Sequence, residues 1–169
     1  LRGVVVKQRP ALDRAAIGVG AVALLLWALA GELPSVVATA IGAPLALVAA
    51  GCHLVRWLGW NTWETRKTPL LWSLHVAYLW VPLGLLLLAA AQWGFVSRSA
   101  GVHALAIGAT GGLIMGMITR TALGHTGRLL IASGVGTTAY GLVRLAAVAR
   151  VLTLLAVPAA AMVMDVATS

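Results

Sequence analysis

Long apolar runs without formal charge constrain this chain more than any other feature. The clearest is Gly101 to Thr119, GVHALAIGATGGLIMGMIT, in which one His is the only titratable residue. Eighteen or more such residues read as a transmembrane helix, because a helix satisfies its own backbone groups where no water can. This run carries two patterns. Gly108, Gly112 and Gly116 recur every fourth residue, and Gly101 and Ala104 extend the stripe. A stripe of small residues lets a neighbouring backbone come close, which is how helices associate in lipid. At roughly 100° per residue, His103, Ile107, Thr110, Ile114, Met117 and Thr121 fall on the other face. We expect this helix to be the one around which the others are arranged. It runs into Arg120 and a turn, Leu123 to Arg128, that holds His125 and Arg128.

The other runs give the fold class. Spans are expected at about 15–31, 35–57, 70–92, 101–122 and 129–150, with 152–169 a connection and the start of a sixth span. The class is all-α: a polytopic transmembrane helical bundle of five full spans plus part of another, in one membrane domain. Pro44 should kink the second helix. Pro82 should leave the Tyr78 carbonyl without its helical donor. Arg144 sits inside the fifth run, where a cation in hydrocarbon needs a partner, and no acid in the sequence is placed to provide one.

Only 9% of the chain is charged against 61% hydrophobic, so its solvent is largely the lipid bilayer. The net charge of +8 does not imply nucleic acid, because the 12 Lys and Arg are scattered at the ends of apolar runs. They set the topology instead. Arg2, Lys7, Arg9, Arg14, Arg56, Arg66, Lys67, Arg120 and Arg128 lie at one set of alternate ends, and Arg98 and Arg150 at the other. Positive charge marks the cytoplasmic side, which places the N-terminus, the 59–69 loop and the 124–128 turn there. Cys52 is the single cysteine, which excludes an intrachain disulfide and a Cys-based cluster. No phosphate-binding loop, no His-Glu-x-x-His and no Ser/His/Asp set is present.

The candidates for chemistry are the four His, all in or beside membrane segments, where ionisable residues mark functional sites. His53, His75 and His125 lie toward the cytoplasmic side, with Arg56, Arg120 and Arg128 able to clamp carboxylates. His103 lies near the opposite side. It should stand about 20 Å from His75, too far for the two to share a metal ion. Haem needs an axial imidazole and an apolar slot, and copper accepts imidazole readily. Trp72, Tyr78, Leu79 and Pro82 beside His75 form a wall for a flat ligand. The same residues also suit helix packing, and the His also suit a structural role. A transporter, suggested by Pro-broken helices and by Arg144, and a membrane subunit with structural His therefore stay open alongside a cofactor protein.

Two stretches together carry a resemblance. They are Thr68-Pro69-Leu70-Leu71-Trp72-x-x-His75-x-x-Tyr78-x-Trp80-x-Pro82-x-Gly84-Leu85, and His103-Ala104-Leu105-x-x-Gly108-Ala109-x-Gly111-Gly112 followed by Met117-x-x-Arg120-x-x-Leu123-Gly124-His125-Thr126-Gly127-Arg128. With His53-x-x-Arg56-x-x-Gly59-Trp60 and Arg150-Val151-Leu152, they resemble the NnrS family, polytopic proteins of the bacterial inner membrane. The resemblance implies haem b and copper as cofactors and a role in the response to nitric oxide and nitrosative stress. It implies NO or metal-nitrosyl species as partners. It also implies that this is the C-terminal part of a longer protein, with a missing N-terminal half as a further partner. That half carries a Trp-His-Ala-His-Glu-Met motif in the family. The cofactor-binding candidates are then His53, His75, His125, Arg56, Arg120 and Arg128, and the metal candidates His103 and His75.

Overall fold

A computed structural model describes the backbone of residues 9–60, 65 and 68–168, and side chains as far as 156. Arg2 and Lys7, Trp63, Glu64, Arg66 and Lys67 of the loop, and the side chains of Pro158 and Asp165, lie outside the described residues. The described residues are helical apart from short connections. Five helices are long and apolar enough to cross a membrane. We number them α1 (Pro10–Ala28), α2 (Ser35–Leu58), α3 (Pro69–Gln92), α4 (Arg98–His125) and α5 (Gly134–Thr168).

Local chemistry sets the ends. Pro10 and Pro69 open α1 and α3 from the first turn, where a missing N–H costs nothing. Ser97 caps α4 by accepting from the Ser99 N–H at 3.2 Å. Gly94 and Gly127 take left-handed φ of 80° and 64° in the turns after α3 and α4. The last helix starts at Gly134, not near 129, because Leu129 to Ser133 form an irregular connection. It then continues through Thr168, so 152–168 prolongs the fifth helix. The run 152–169, expected as a connection and the start of a sixth span because Pro158 and Asp165 interrupt it, is helix as far as Thr168.

Pro44 does not fracture α2. The helix widens to a π register over Ala38–Gly42 immediately before it, and the Ala43 N–H reaches back to the Ala38 carbonyl. That shift accommodates a residue with no N–H of its own. A second π segment, Ala104–Gly111, lies in α4.

The hub is α3, not α4. One alanine-rich cluster joins it to α1 and α2 through Ala23, Ala43, Ala46, Ala49, Ala50, Leu85 and Ala89. A second joins it to α4 and α5 through Trp80, Ala104, Ala109, Ala147 and Val151. Small side chains hold these helices close, as expected where lipid gives no hydrophobic drive to association. The glycine stripe of α4 is pressed onto α3 in antiparallel register: Gly101 against Leu88, Gly108 against Trp80 and Gly116 against Leu74. Gly84 of α3 receives Leu105 in return. The opposite face of α4, with Thr110, Ile114, Met117 and Thr121, is exposed.

This register makes a prediction. A Cβ at Gly101 would stand 2.5 Å from Leu88 Cδ2 and 3.0 Å from the Leu88 backbone nitrogen, which cannot move aside. Gly101→Val should cost about 1–3 kcal/mol. Gly141 has nothing within 4 Å, so Gly141→Ala should be neutral or stabilise by up to about 1 kcal/mol. Unfolding in mixed detergent micelles measures both.

Candidate functional site

Two short spacings build a cluster at the end of the bundle that holds Arg9, Arg14, Arg120 and Arg128. His53 and Arg56 are three apart on α2, and His75 and Tyr78 three apart on α3, so each pair shares a helix face. The helices run antiparallel, which sets the pairs against each other. The Tyr78 hydroxyl lies 2.6 Å from His53 Nδ1 and accepts from Arg56 Nη1 at 2.9 Å. Arg56 Nε lies 2.6 Å from the Asp13 carboxylate of α1. Trp57 Nε1 donates to the His75 carbonyl at 2.9 Å. Trp60 stands 4.5 Å from the Tyr78 ring and edge-on to His75 at 5.8 Å, with the Arg56 guanidinium 5.1 Å over its face. A cation over an indole is attracted by the ring's quadrupole.

Hydrogen placement separates the histidines. His75 Nδ1 is 2.8 Å from the Leu71 carbonyl, and His103 Nδ1 is 2.8 Å from the Ser99 carbonyl. A carbonyl only accepts, so Nδ1 carries the hydrogen in both rings and Nε2 keeps its lone pair. That is the tautomer a metal-binding imidazole uses, oriented by a backbone carbonyl. His53 differs. Tyr78 takes a hydrogen from Arg56 and has its own to give to His53 Nδ1. The other ring nitrogen then carries the hydrogen and turns to the α1 backbone, directly over Gly20. His53 is 9% exposed and has no lone pair free in this arrangement.

The helix register also sets the depth. Gly116 packs beside Leu74, next to His75, and His103 lies 13 residues earlier on α4, or about 20 Å along the axis. His125 ends α4 and is exposed, as are Arg120 and Arg128, and no side-chain bond joins them to the cluster. Among the described residues no three His, Cys, Asp or Glu side chains gather as a metal site. One turn beyond His75, a groove of about 370 Å³ opens between α2 and α3, lined by Leu47, Ala50, Leu54, Leu79, Pro82 and Leu86.

Arg144 has found partners other than an acid. Its Nη1 donates to the Gly108 carbonyl at 3.1 Å and its Nη2 to the Ser73 carbonyl at 2.6 Å. The guanidinium fills the notch at Gly112, where no side chain could stand. Its Nε is buried without a partner. Gly108 lies in the π segment of α4, so the widened turn and the arginine meet at one point.

Sequence gathers the cytoplasmic-side histidines and sets Tyr78 beside His75, but it does not join Asp13 and Trp60 to them or Tyr78 to His53. The matched i, i+3 spacings of His53/Arg56 and His75/Tyr78 were the available signal. Over residues 1–169 the chain matches the family model described as NnrS protein. No curated protein and no solved structure matches it.

Proposed function

The chain belongs to the NnrS family, membrane proteins of the nitric oxide response, and from that premise we infer that it holds haem b and copper in a bacterial inner membrane, with His75 and His103 as ligating imidazoles. One observation carries the assignment: both rings have Nδ1 tied to a backbone carbonyl at 2.8 Å, leaving Nε2 free.

A haem asks for a single axial imidazole and apolar surroundings, and His75 with the neighbouring groove fits that demand. Haem, once bound, supplies an iron able to take nitric oxide or a metal-nitrosyl species and to change charge by one electron. The chain's own contribution is orientation. Leu71 fixes the tautomer of His75, and Trp60 meets the ring edge-on. Arg56 is engaged by Asp13 and Tyr78, whereas Arg120 and Arg128 at this end are exposed and able to meet carboxylates. His125 stands beside them in the turn.

Copper fits less completely. His103 offers one nitrogen, and the described residues bring no second and third ligand to it. The remaining ligands would come from another segment, such as the family's N-terminal half. The transporter reading drew on Arg144, but that side chain is bound between two backbone carbonyls, which accounts for it without a substrate.

Metal analysis of the intact protein, purified in detergent, tests the assignment. Wild type should contain haem and copper. His103→Ala should lose copper and keep haem. A colourless, metal-free protein contradicts the reading.

A further inference from the structure

We propose that the groove between α3 and α5 binds the ring of a membrane quinone, with Arg144 Nε donating to a ring carbonyl oxygen and the hydrocarbon tail lying along α5.

The guanidinium supplies the first reason. Its Nη1 and Nη2 are engaged by the Gly108 and Ser73 carbonyls, and Nε is the donor left over, buried and without a partner. An N–H in hydrocarbon is costly until it meets an acceptor, and the N–H of a cation makes a stronger bond than a neutral donor does. The same arginine lines a groove of about 450 Å³, within the roughly 300–1,000 Å³ usual for small-molecule sites. The walls include Val76, Trp80 and Leu87 of α3 and Val148, Val151 and Leu155 of α5, and Arg144 is the one charged residue among the lining.

Depth and shape narrow the occupant. Arg144 lies about ten residues, or roughly 15 Å, inside α5 from Gly134. The hydrocarbon core is about 30 Å thick, so the donor is well below the level of phospholipid esters and fatty-acid carboxylates. A ligand that brings an oxygen to this depth must be uncharged, because an ion would be stripped of its water. From Arg144 to Leu155 the groove offers about 16 Å of apolar wall for a chain. Trp80 packs against Gly108 and gives the groove an aromatic side, which suits a planar ring. A quinone meets these demands together, with neutral carbonyl oxygens, a flat ring and a long apolar tail.

Position adds a consequence. Leu79 and Leu83 line both this groove and the one beside His75, so a single row of side chains separates the two. The quinone ring is placed next to the cofactor inferred there, but its binding does not depend on that cofactor.

Photolabelling of the intact protein in lipid nanodiscs with an azido-substituted ubiquinone tests the site, with labelled peptides identified by mass spectrometry and haem measured in the same preparations. Wild type should be labelled saturably on α5 between Arg144 and Leu155, and decylubiquinone should compete. Decylbenzene has a chain and a ring but no carbonyl. It should compete at least tenfold less well, and in Arg144→Leu that difference should vanish. Val148→Trp fills the groove from a position 40% exposed and should cut labelling at least fivefold. Leu142→Trp, 61% exposed and outside the groove, should leave labelling unchanged. Equal competition by decylbenzene and decylubiquinone in wild type marks a groove for any acyl chain and overturns the proposal. So does labelling that never saturates, that falls only on other helices, or that survives Val148→Trp. Saturable, carbonyl-dependent labelling of a protein without haem leaves this site standing and removes the reading of His75. Haem without such labelling does the reverse.

Discussion

Gly112→Val should destabilise the bundle by about 3–5 kcal/mol, more than removing the arginine that lies over it. The valine would stand where the Arg144 guanidinium now sits. The cation would be driven from the Gly108 and Ser73 carbonyls, which it now meets at 3.1 and 2.6 Å. A cation left within a bundle without its hydrogen bonds is the costly case, on the order of 3–5 kcal/mol. Arg144→Leu removes the charge along with the bonds. It gives up charge-assisted bonds worth about 1.5–3 kcal/mol each, but spares the desolvation of a cation whose Nε already lacks a partner. Its net cost should therefore be smaller, about 1–3 kcal/mol. The double variant Gly112→Val/Arg144→Leu should be more stable than Gly112→Val alone, since an apolar chain can share the notch. Unfolding in mixed detergent micelles measures the cycle. If Gly112→Val is neutral, or if the double variant adds both costs, Arg144 does not occupy the notch in the membrane.

The fold was largely legible because a bilayer restricts the choice so severely. Charge-free runs of a span's length admit little but a helix, and the third run was read as 70–92 against an observed Pro69–Gln92. The stripe of Gly101, Ala104, Gly108, Gly112 and Gly116 announced a packing face, and that face is buried. The hub was misplaced. Glycines mark the helix that is approached closely, but the approach is made by Leu88, Trp80 and Leu74 of α3, which look like any apolar residues in sequence. Element ends were less legible where no breaker stood, as at Arg150, or where the chain stays out of a helix without Gly or Pro, as from Leu129 to Ser133.

The site was legible in part. Depth alone separated His103 from His75, since both lie in helices of known rise. Depth could not separate His53 from His75, which lie at the same end. What distinguishes them is the partner of each Nδ1, and that depends on which residue the neighbouring helix brings. His75 reaches a carbonyl of its own helix, four residues back, whereas His53 meets a phenol 25 residues away. The partners of Arg144 were illegible for the same reason. They are backbone carbonyls, which carry no sequence signal.

The largest expected effect on function follows from that contrast between the two histidines. His75→Ala removes the one imidazole at this end of α3 whose Nε2 is free and whose position is fixed at Nδ1. No other described side chain on that turn can replace it, since Tyr78 is held by His53 and Arg56. Haem should be lost almost completely. His53→Gln keeps a group able to accept from Tyr78 and takes no ligand away. It should leave haem content within about twofold of wild type, a difference of no more than about 0.4 kcal/mol in binding.

The most direct test is the haem absorption band of the intact protein, measured per mole of purified polypeptide in wild type, His75→Ala and His53→Gln side by side. The account predicts the band gone in the first variant and retained in the second. Haem retained in His75→Ala and lost in His53→Gln would contradict it.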